Sequence, residues 1–312
     1  MAELTTVARG GVLLTAHALE AGWSPGRLRS ALRREGWGRV CRGAWAAPGR
    51  PVDWLTRARA LQAVRPALVC SHGSAAYVHR IEVLGDGRPQ TRSSLVECTS
   101  MGASGGRRQG LQVHRGPLSP GDWSLRRGVR VTPPARTVAD LIRRGPREEA
   151  VVAADSALSR RVVGGVRRPA LVHPDELGTE LAARRPGAPR APRWLRPTDP
   201  AAGSPAETLA RLHMHDAGLH PESQPLPHTP DGRGIRPDFL FRAAGLVVEV
   251  EGHPFHGTRE AHERDTRRFN ALPDCPGVRR VLRFTATEVF HRPAAVIATI
   301  RATLGRLGEA GT

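Results

Sequence analysis

One stretch near the C-terminus decides the fold: Arg236-Pro-Asp-Phe-Leu-Phe-Arg-Ala-Ala-Gly-Leu-Val-Val-Glu-Val-Glu-Gly-His-Pro-Phe-His256. Its apolar runs predict two strands, with Asp238 at the head of the first and Glu249 and Glu251 on the second. Because side chains alternate between the two sides of a strand, the two glutamates share one face. Carboxylates in an apolar strand are costly unless a cation balances them, and Mg²⁺ binds carboxylates and phosphate oxygens. The stretch therefore predicts a divalent-metal site suited to phosphodiester chemistry.

The charge of the chain is large and uneven. The 312 residues include 47 Lys and Arg, all of them arginine, against 29 Asp and Glu, which gives a formal net charge of +18. Nearly all of this excess lies in residues 1–203, whereas residues 204–312 are close to neutral. A basic front part beside a carboxylate-bearing rear part indicates a polyanion-binding region joined to a metal-using region.

Composition also excludes several classes of protein. No apolar run is long enough to span a membrane, so we expect a cytoplasmic protein that does not bind membranes. The four cysteines are far apart and form no Cys-x-x-Cys pair. Neither a structural zinc site nor a disulfide framework is therefore expected.

The first segment has the pattern of a helix-turn-helix followed by a wing. Ser24-Pro25 predicts a helix start, and the helix to Arg34 should turn Leu28, Ala31 and Leu32 inward. Gly38–Gly43 lies between short strand-like pieces around Trp37 and Ala44–Ala47, which predict a hairpin. An arginine-rich second helix is typical of a major-groove reader, and the alternative is a solvated basic helix in a small packing module. The candidate DNA-binding residues are Arg27, Arg29, Arg33, Arg34, Arg39 and Arg42.

The whole chain is predicted to be α/β, and α+β overall. Residues 1–50 form the winged helix-turn-helix, residues 51–183 an α+β middle region and residues 184–203 a linker rich in Pro and Arg. Residues 204–312 should form a mixed sheet flanked by helices. In this last segment we expect helices over residues 204–217, 259–272 and 293–307, and strands over residues 220–225, 237–242, 246–251 and 279–284.

Three motifs in the last segment carry a resemblance. They are Ser204-Pro-Ala-Glu207, Pro237-Asp238 with Val248-Glu-Val-Glu-Gly-His-Pro-Phe-His256, and Asp265-Thr-Arg-Arg268 before Val281-Leu-Arg-Phe284. Together they resemble the PD-(D/E)xK nuclease superfamily, in particular the domains of unknown function related to very-short-patch-repair endonucleases. The resemblance covers about residues 204–304 and implies a restriction-endonuclease-like fold.

The resemblance also implies a set of metal-binding residues. Asp238 and Glu249 would bind Mg²⁺ (or Mn²⁺), and Glu207 would support the metal through water. Glu251, counted with the metal-binding and catalytic residues, takes the position of the superfamily's lysine. The chain has no lysine, and branches related to patch repair use acids and histidines instead.

Further roles follow from the same resemblance. His256 is the candidate general base, ahead of His253, and metal-bound water could also lose its proton without a dedicated base. Arg268 and Arg283 are candidates for neutralising charge on the phosphate. Asp265 and Arg268 have the spacing of an ion pair on one helix, which is the structural alternative.

The front also resembles a known family. Two motifs resemble the winged-helix N-terminal domain of AbiEi-type antitoxins: Gly11-Val-Leu-Leu-Thr-Ala-His-Ala-Leu-Glu-Ala-Gly22 and Arg39-Val-Cys-Arg-Gly43. The continuation through Ser71-His-Gly-Ser-Ala-Ala76 and Thr137-Val-Ala-Asp140 is similar to proteins that pair this domain with the nuclease-like one. This resemblance covers about residues 8–160. It implies binding to double-stranded DNA, a toxin–antitoxin or phage-defence setting with a toxin partner, and homodimers of the kind that winged-helix regulators form.

Two functions remain open from the sequence. The first is a Mg²⁺-dependent DNA endonuclease, strand nicking included, whose winged helix positions the duplex. The second is a non-catalytic DNA-binding regulator of antitoxin type that uses a nuclease fold as a scaffold. The carboxylate set favours the enzyme, whereas the missing lysine and the antitoxin-like front favour the regulator.

Overall fold

The computed structural model describes residues 3–85, 88–89, 95–100, 105–108, 110–119, 121–183, 195–232, 234–251 and 270–309. The protein mixes helices with several sheets, which confirms the α+β class. It divides into two compact units. The first contains Met1–Ile81, Thr91–Leu141 and Ala183–Arg185, and the second contains Glu82–Gln90, Ile142–Ala182 and Pro186–Thr312. Residues 142–182 thus group with the C-terminal sheet. In the described part of the chain, no helix is long and apolar enough to cross a membrane.

The start of the first unit is a small three-stranded antiparallel sheet with three described helices, the first of which is Leu4–Val7. Strand Val12–Leu14 pairs with Ala44–Ala46, which also pairs with Gly38–Cys41 to make the predicted hairpin. Helix Thr15–Glu20 precedes helix Pro25–Arg34, whose cap Ser24 accepts a hydrogen bond from the backbone of Arg27 (3.5 Å). The predicted inward residues are buried: Leu28, Ala31 and Leu32.

The rest of the first unit is built on a six-stranded mixed sheet. Helix Trp54–Val64 begins after the cap residue Asp53, whose Oδ1 accepts a hydrogen bond from the backbone of Thr56 (2.7 Å). Helix His72–His79 follows strand Leu68–Cys70. The strands lie in the order Ser124–Arg126, Val129–Val131, Leu68–Cys70, Val96–Ser100, Leu111–Arg115 and Gly106–Arg108. The chain passes from the first unit to the second within helix Pro134–Arg144.

The second unit contains a four-stranded mixed sheet and the helices that cover it. The strands lie in the order Glu222–Ser223, Phe239–Phe241, Leu246–Glu251 and Arg280–Thr285, and only the last pair is parallel. The helices are Arg147–Leu158, Pro174–Ala182, Pro205–Asp216, Ala286–His291 and Pro293–Glu309. The predicted final helix is therefore present, but a separate short helix that the sequence reading missed precedes it.

The core of this second unit joins the sheet to its helices. Leu246, Val248 and Phe239 are buried with Leu212 and Ile300 in one apolar cluster. Val247 lies on the opposite face of its strand, in a second cluster. Both faces of strand Leu246–Glu251 are therefore covered, which agrees with its nearly continuous apolar sequence.

A glycine turn links the two central strands of this sheet. Gly245 has φ +65, and a Cβ there would overlap the carbonyl oxygen of Gly277. We expect Gly245→Ala to lower the free energy of unfolding by about 2 kcal/mol, because a left-handed backbone and a steric clash add together. Gly218→Ala is the matched control, since Gly218 has φ +75 and open space around it. Its cost should be about 1 kcal/mol. Urea unfolding measures both, and equal costs would contradict the prediction.

Candidate carboxylate site

Glu207 lies in the first turn of helix Pro205–Asp216. The cap residue Ser204 accepts a hydrogen bond from the Glu207 backbone through its Oγ (3.2 Å), and Glu207 Oε2 accepts one from the Gly203 backbone (2.7 Å). The side chain is therefore folded back over the helix start, where the helix dipole favours a negative charge. Only 9% of Glu207 is exposed.

Asp238 immediately precedes strand Phe239–Phe241. Its Oδ2 accepts a hydrogen bond from the backbone of Val250 on the neighbouring strand (2.7 Å). Phe239 pairs with Val248 in an antiparallel register, so Asp238 and Glu249 occupy the next opposing positions. Opposing residues of an antiparallel pair share one face of a sheet. The predicted pair of carboxylates is thus adjacent across the strands, and both residues are buried.

Gln224 joins two of the carboxylates. Its side-chain Nε2 donates hydrogen bonds to Glu207 Oε2 (3.0 Å) and to Asp238 Oδ1 (3.0 Å). Its backbone N–H donates to the Asp238 carbonyl oxygen (2.8 Å), and its φ of +47 is in the left-handed region. Strain of this kind in a residue other than glycine is concentrated at functional sites. The sequence reading missed Gln224, and the only local signal was an amide beside the short strand Glu222–Ser223.

The two joined carboxylates repel each other. Burial, and then the negative charge of Asp238, raise the pKa of Glu207 to about 7. Without a cation, Glu207 therefore takes up a proton near neutral pH. A divalent ion would relieve this repulsion, and Mg²⁺ needs only one or two carboxylates beside water and phosphate oxygens. Asp238 and Glu249 would supply those two carboxylates. The described residues contain no group of three His, Cys, Asp or Glu side chains that could hold a metal ion, so the fit to Mg²⁺ is limited to these two ligands.

Glu251 has a different environment from Glu249. Its carboxylate forms an ion pair with the guanidinium of Arg283, and both side chains are partly exposed. Arg283 lies opposite Glu249 in the parallel register of the last two strands, so the three side chains share a face. The position that resembles the superfamily's lysine is thus occupied by a carboxylate with an arginine beside it. The predicted residues His253, His256, Asp265 and Arg268 lie outside the described residues.

The candidate DNA-binding arginines belong to the first unit. Those on helix Pro25–Arg34 and those on the hairpin are exposed: Arg27, Arg29, Arg33, Arg34, Arg39 and Arg42. Arg34 pairs with the exposed Glu35 (3.3 Å), a contact of little energetic value. The helix therefore has an apolar buried side and a basic solvent side.

No protein-family model matches the chain, and no curated protein matches it. The function is therefore inferred from the residues and their geometry.

Proposed function

We propose that the protein is a Mg²⁺- or Mn²⁺-dependent DNA endonuclease, strand nicking included. Residues 204–312 would be its PD-(D/E)xK-type nuclease domain and residues 1–50 a winged helix that binds double-stranded DNA. The observation that carries the proposal is the pair of carboxylates of Glu207 and Asp238. Both accept hydrogen bonds from the side-chain amide of Gln224, and Glu249 lies opposite Asp238 on the neighbouring strand. Buried like charges have a stability cost that a purely structural site would avoid.

Each residue of the site has a proposed role. Asp238 and Glu249 would hold the metal, which when bound supplies a water nucleophile at neutral pH and neutralises phosphate charge. Glu207 supports this site from the helix start, and Gln224 keeps the Glu207 and Asp238 carboxylates oriented. We assign the ion to these residues rather than to Glu251, whose charge is balanced by Arg283. His256 remains the candidate general base, with Arg268 and Arg283 as candidates for the phosphate.

A second function has its own support. The Glu251–Arg283 ion pair places opposite charges where a nuclease of this superfamily needs a free cation. The exposed basic side of helix Pro25–Arg34 and the adjoining hairpin suit DNA binding without cleavage. The alternative is therefore a non-catalytic DNA-binding regulator of antitoxin type, acting with a toxin partner.

A plasmid assay separates the two functions. Supercoiled plasmid is incubated with the wild-type protein and Mg²⁺ or Mn²⁺, beside an EDTA control. We expect nicking or linearisation by the wild type, and a fall to the EDTA background in Asp238→Asn and Glu249→Gln. Asp274→Asn, which changes an exposed carboxylate of the same unit, is the matched control and should cleave like the wild type.

Two results would contradict the proposed nuclease site. DNA binding with no cleavage by the wild type in either metal would reject the nuclease and leave the regulator. Cleavage that persists unchanged in both site variants would show that the activity belongs to other residues or to a contaminant.

A further inference from the structure

The first unit contains a groove to which the proposed function assigns no role. It has a volume of about 640 Å³ and lies between hairpin strand Gly38–Cys41 and helix Trp54–Val64, with strand Leu111–Arg115 beside it. Its floor is apolar, with Val40, Leu61, Val64 and Leu111. Its walls carry four arginines: Arg39, Arg42, Arg57 and Arg65.

The charge of this groove is uncompensated. The residues that line it include no Asp or Glu. Within the described part of the chain, none of the four guanidinium groups forms a hydrogen bond or an ion pair. Arg65, Arg39 and Arg57 all act electrostatically on the thiol of Cys41, although burial raises the pKa of that thiol more than they lower it. A concave surface with several positive charges and no counter-charge attracts an anion.

The spacing of the arginines decides what kind of anion fits. Arg57 is in helix Trp54–Val64 and Arg65 caps its end, eight residues later. At the rise of an α-helix their Cα atoms are about 12 Å apart. Arg39 and Arg42 stand on the opposite wall. Four guanidinium charges spread over this span exceed the charge of a single phosphate group, whereas a nucleic-acid strand carries a charge at every nucleotide.

We propose that this groove binds the phosphate backbone of duplex DNA, adding contacts from Arg57 and Arg65 to those of the helix and hairpin. The inference depends on the proposed function in one respect, because DNA is the same partner. Arg39 and Arg42 belong to both the hairpin and the groove, so the backbone would continue from one surface into the other. Contacts of this kind position the duplex and add affinity without reading its sequence.

Salt-dependent binding tests the proposal independently of cleavage. A fluorescent 30-base-pair duplex is titrated with the full-length protein in EDTA at several KCl concentrations. We expect Arg57→Gln/Arg65→Gln to reduce the slope of log K against log [KCl] by about 2, one unit for each lost phosphate contact. The matched control is Arg160→Gln/Arg167→Gln, which removes the same charge from exposed positions of the second unit. Arg29→Gln/Arg33→Gln tests the proposed helix surface separately.

Each outcome has one meaning. A reduced slope in the groove variant and not in the control supports the inference. If the helix variant loses slope but the groove variant behaves like the control, the groove inference is wrong and the proposed DNA binding survives. If pyrophosphate binds the wild type and not the groove variant, while duplex affinity is equal in both, the groove is a small-anion site and the inference is overturned. No duplex binding by the wild type would reject DNA binding as a whole.

Discussion

Asp155→Ala is expected to lower the free energy of unfolding by about 3–5 kcal/mol, because it removes the nearer carboxylate that balances the buried Arg211 and leaves the longer ion pair with Asp199 (3.8 Å). Asp155 Oδ2 accepts a hydrogen bond from Arg211 Nη2 (2.6 Å) and one from Thr208 Oγ1 (2.8 Å). Its Oδ1 accepts one from the backbone of Asp199 (2.7 Å). The side chains of Asp155 and Arg211 are 0% and 3% exposed. The substitution therefore breaks several hydrogen bonds at a site that water does not reach.

The Asp155–Arg211 ion pair joins two helices of the second unit. Asp155 lies on helix Arg147–Leu158, and Arg211 on the same helix as Glu207. The pair thus anchors the helix that supports the candidate site. Asp216→Ala is the matched control, since Asp216 pairs with Arg147 at the surface (2.7 Å) and should cost less than about 1 kcal/mol.

Urea unfolding followed by circular dichroism measures both variants. If Asp155→Ala is too unstable to purify, Asp155→Asn keeps the shape of the side chain, while it removes the charge and replaces one acceptor oxygen by an NH2 donor. A cost for either Asp155 variant no greater than that of the control would contradict the prediction.

The second large effect concerns the pH dependence of stability. The pKa of Glu207 is raised from its ordinary value of 4.5 to about 7, chiefly by burial. A carboxyl group with a raised pKa in the folded state contributes stability that is fully present below pH 4.5 and is lost as the pH rises through 7. At 1.36 kcal/mol per pKa unit, Glu207 alone should cost the metal-free wild type about 3 kcal/mol of stability across this window.

Glu207→Gln should remove this loss, because an amide has no proton to release. At pH 8 and without metal, we therefore expect the variant to be more stable than the wild type. Added Mg²⁺ should stabilise the wild type at pH 8 more than the variant, since the ionised carboxylate favours the cation. Glu222→Gln is the control, because a hydrogen bond from Arg242 lowers the pKa of the exposed Glu222. The charge of Glu222 therefore does not change in this pH window.

Unfolding free energies measured at pH 5, 6, 7 and 8 in EDTA give the slope of stability against pH. The prediction fails if the wild type and Glu207→Gln have the same slope. Since this readout needs no DNA, it tests the electrostatics of the site whether or not the protein cleaves.

Local pattern was enough to predict several elements of this protein. Strand Leu246–Glu251 has its predicted bounds, and helix Pro25–Arg34 begins at its predicted cap and buries the predicted face. Such features depend on residues a few positions apart, where alternation, helical spacing and caps act within one element. The same local pattern placed Asp238 at the head of one strand and Glu249 on the next strand.

Other features were decided only by the tertiary structure. Gln224 meets Glu207 and Asp238 from 17 and 14 residues away, and Asp155 meets Arg211 from 56 residues away. The pairing of Arg283 with Glu251 also requires the parallel register of two distant strands. The periodicity of residues within one helix or strand does not predict these contacts. They form where separate elements pack together, because a buried polar group needs a hydrogen-bond partner there. The sequence by itself thus determined the strands, the helix faces and the candidate carboxylates, while packing decided which charges meet.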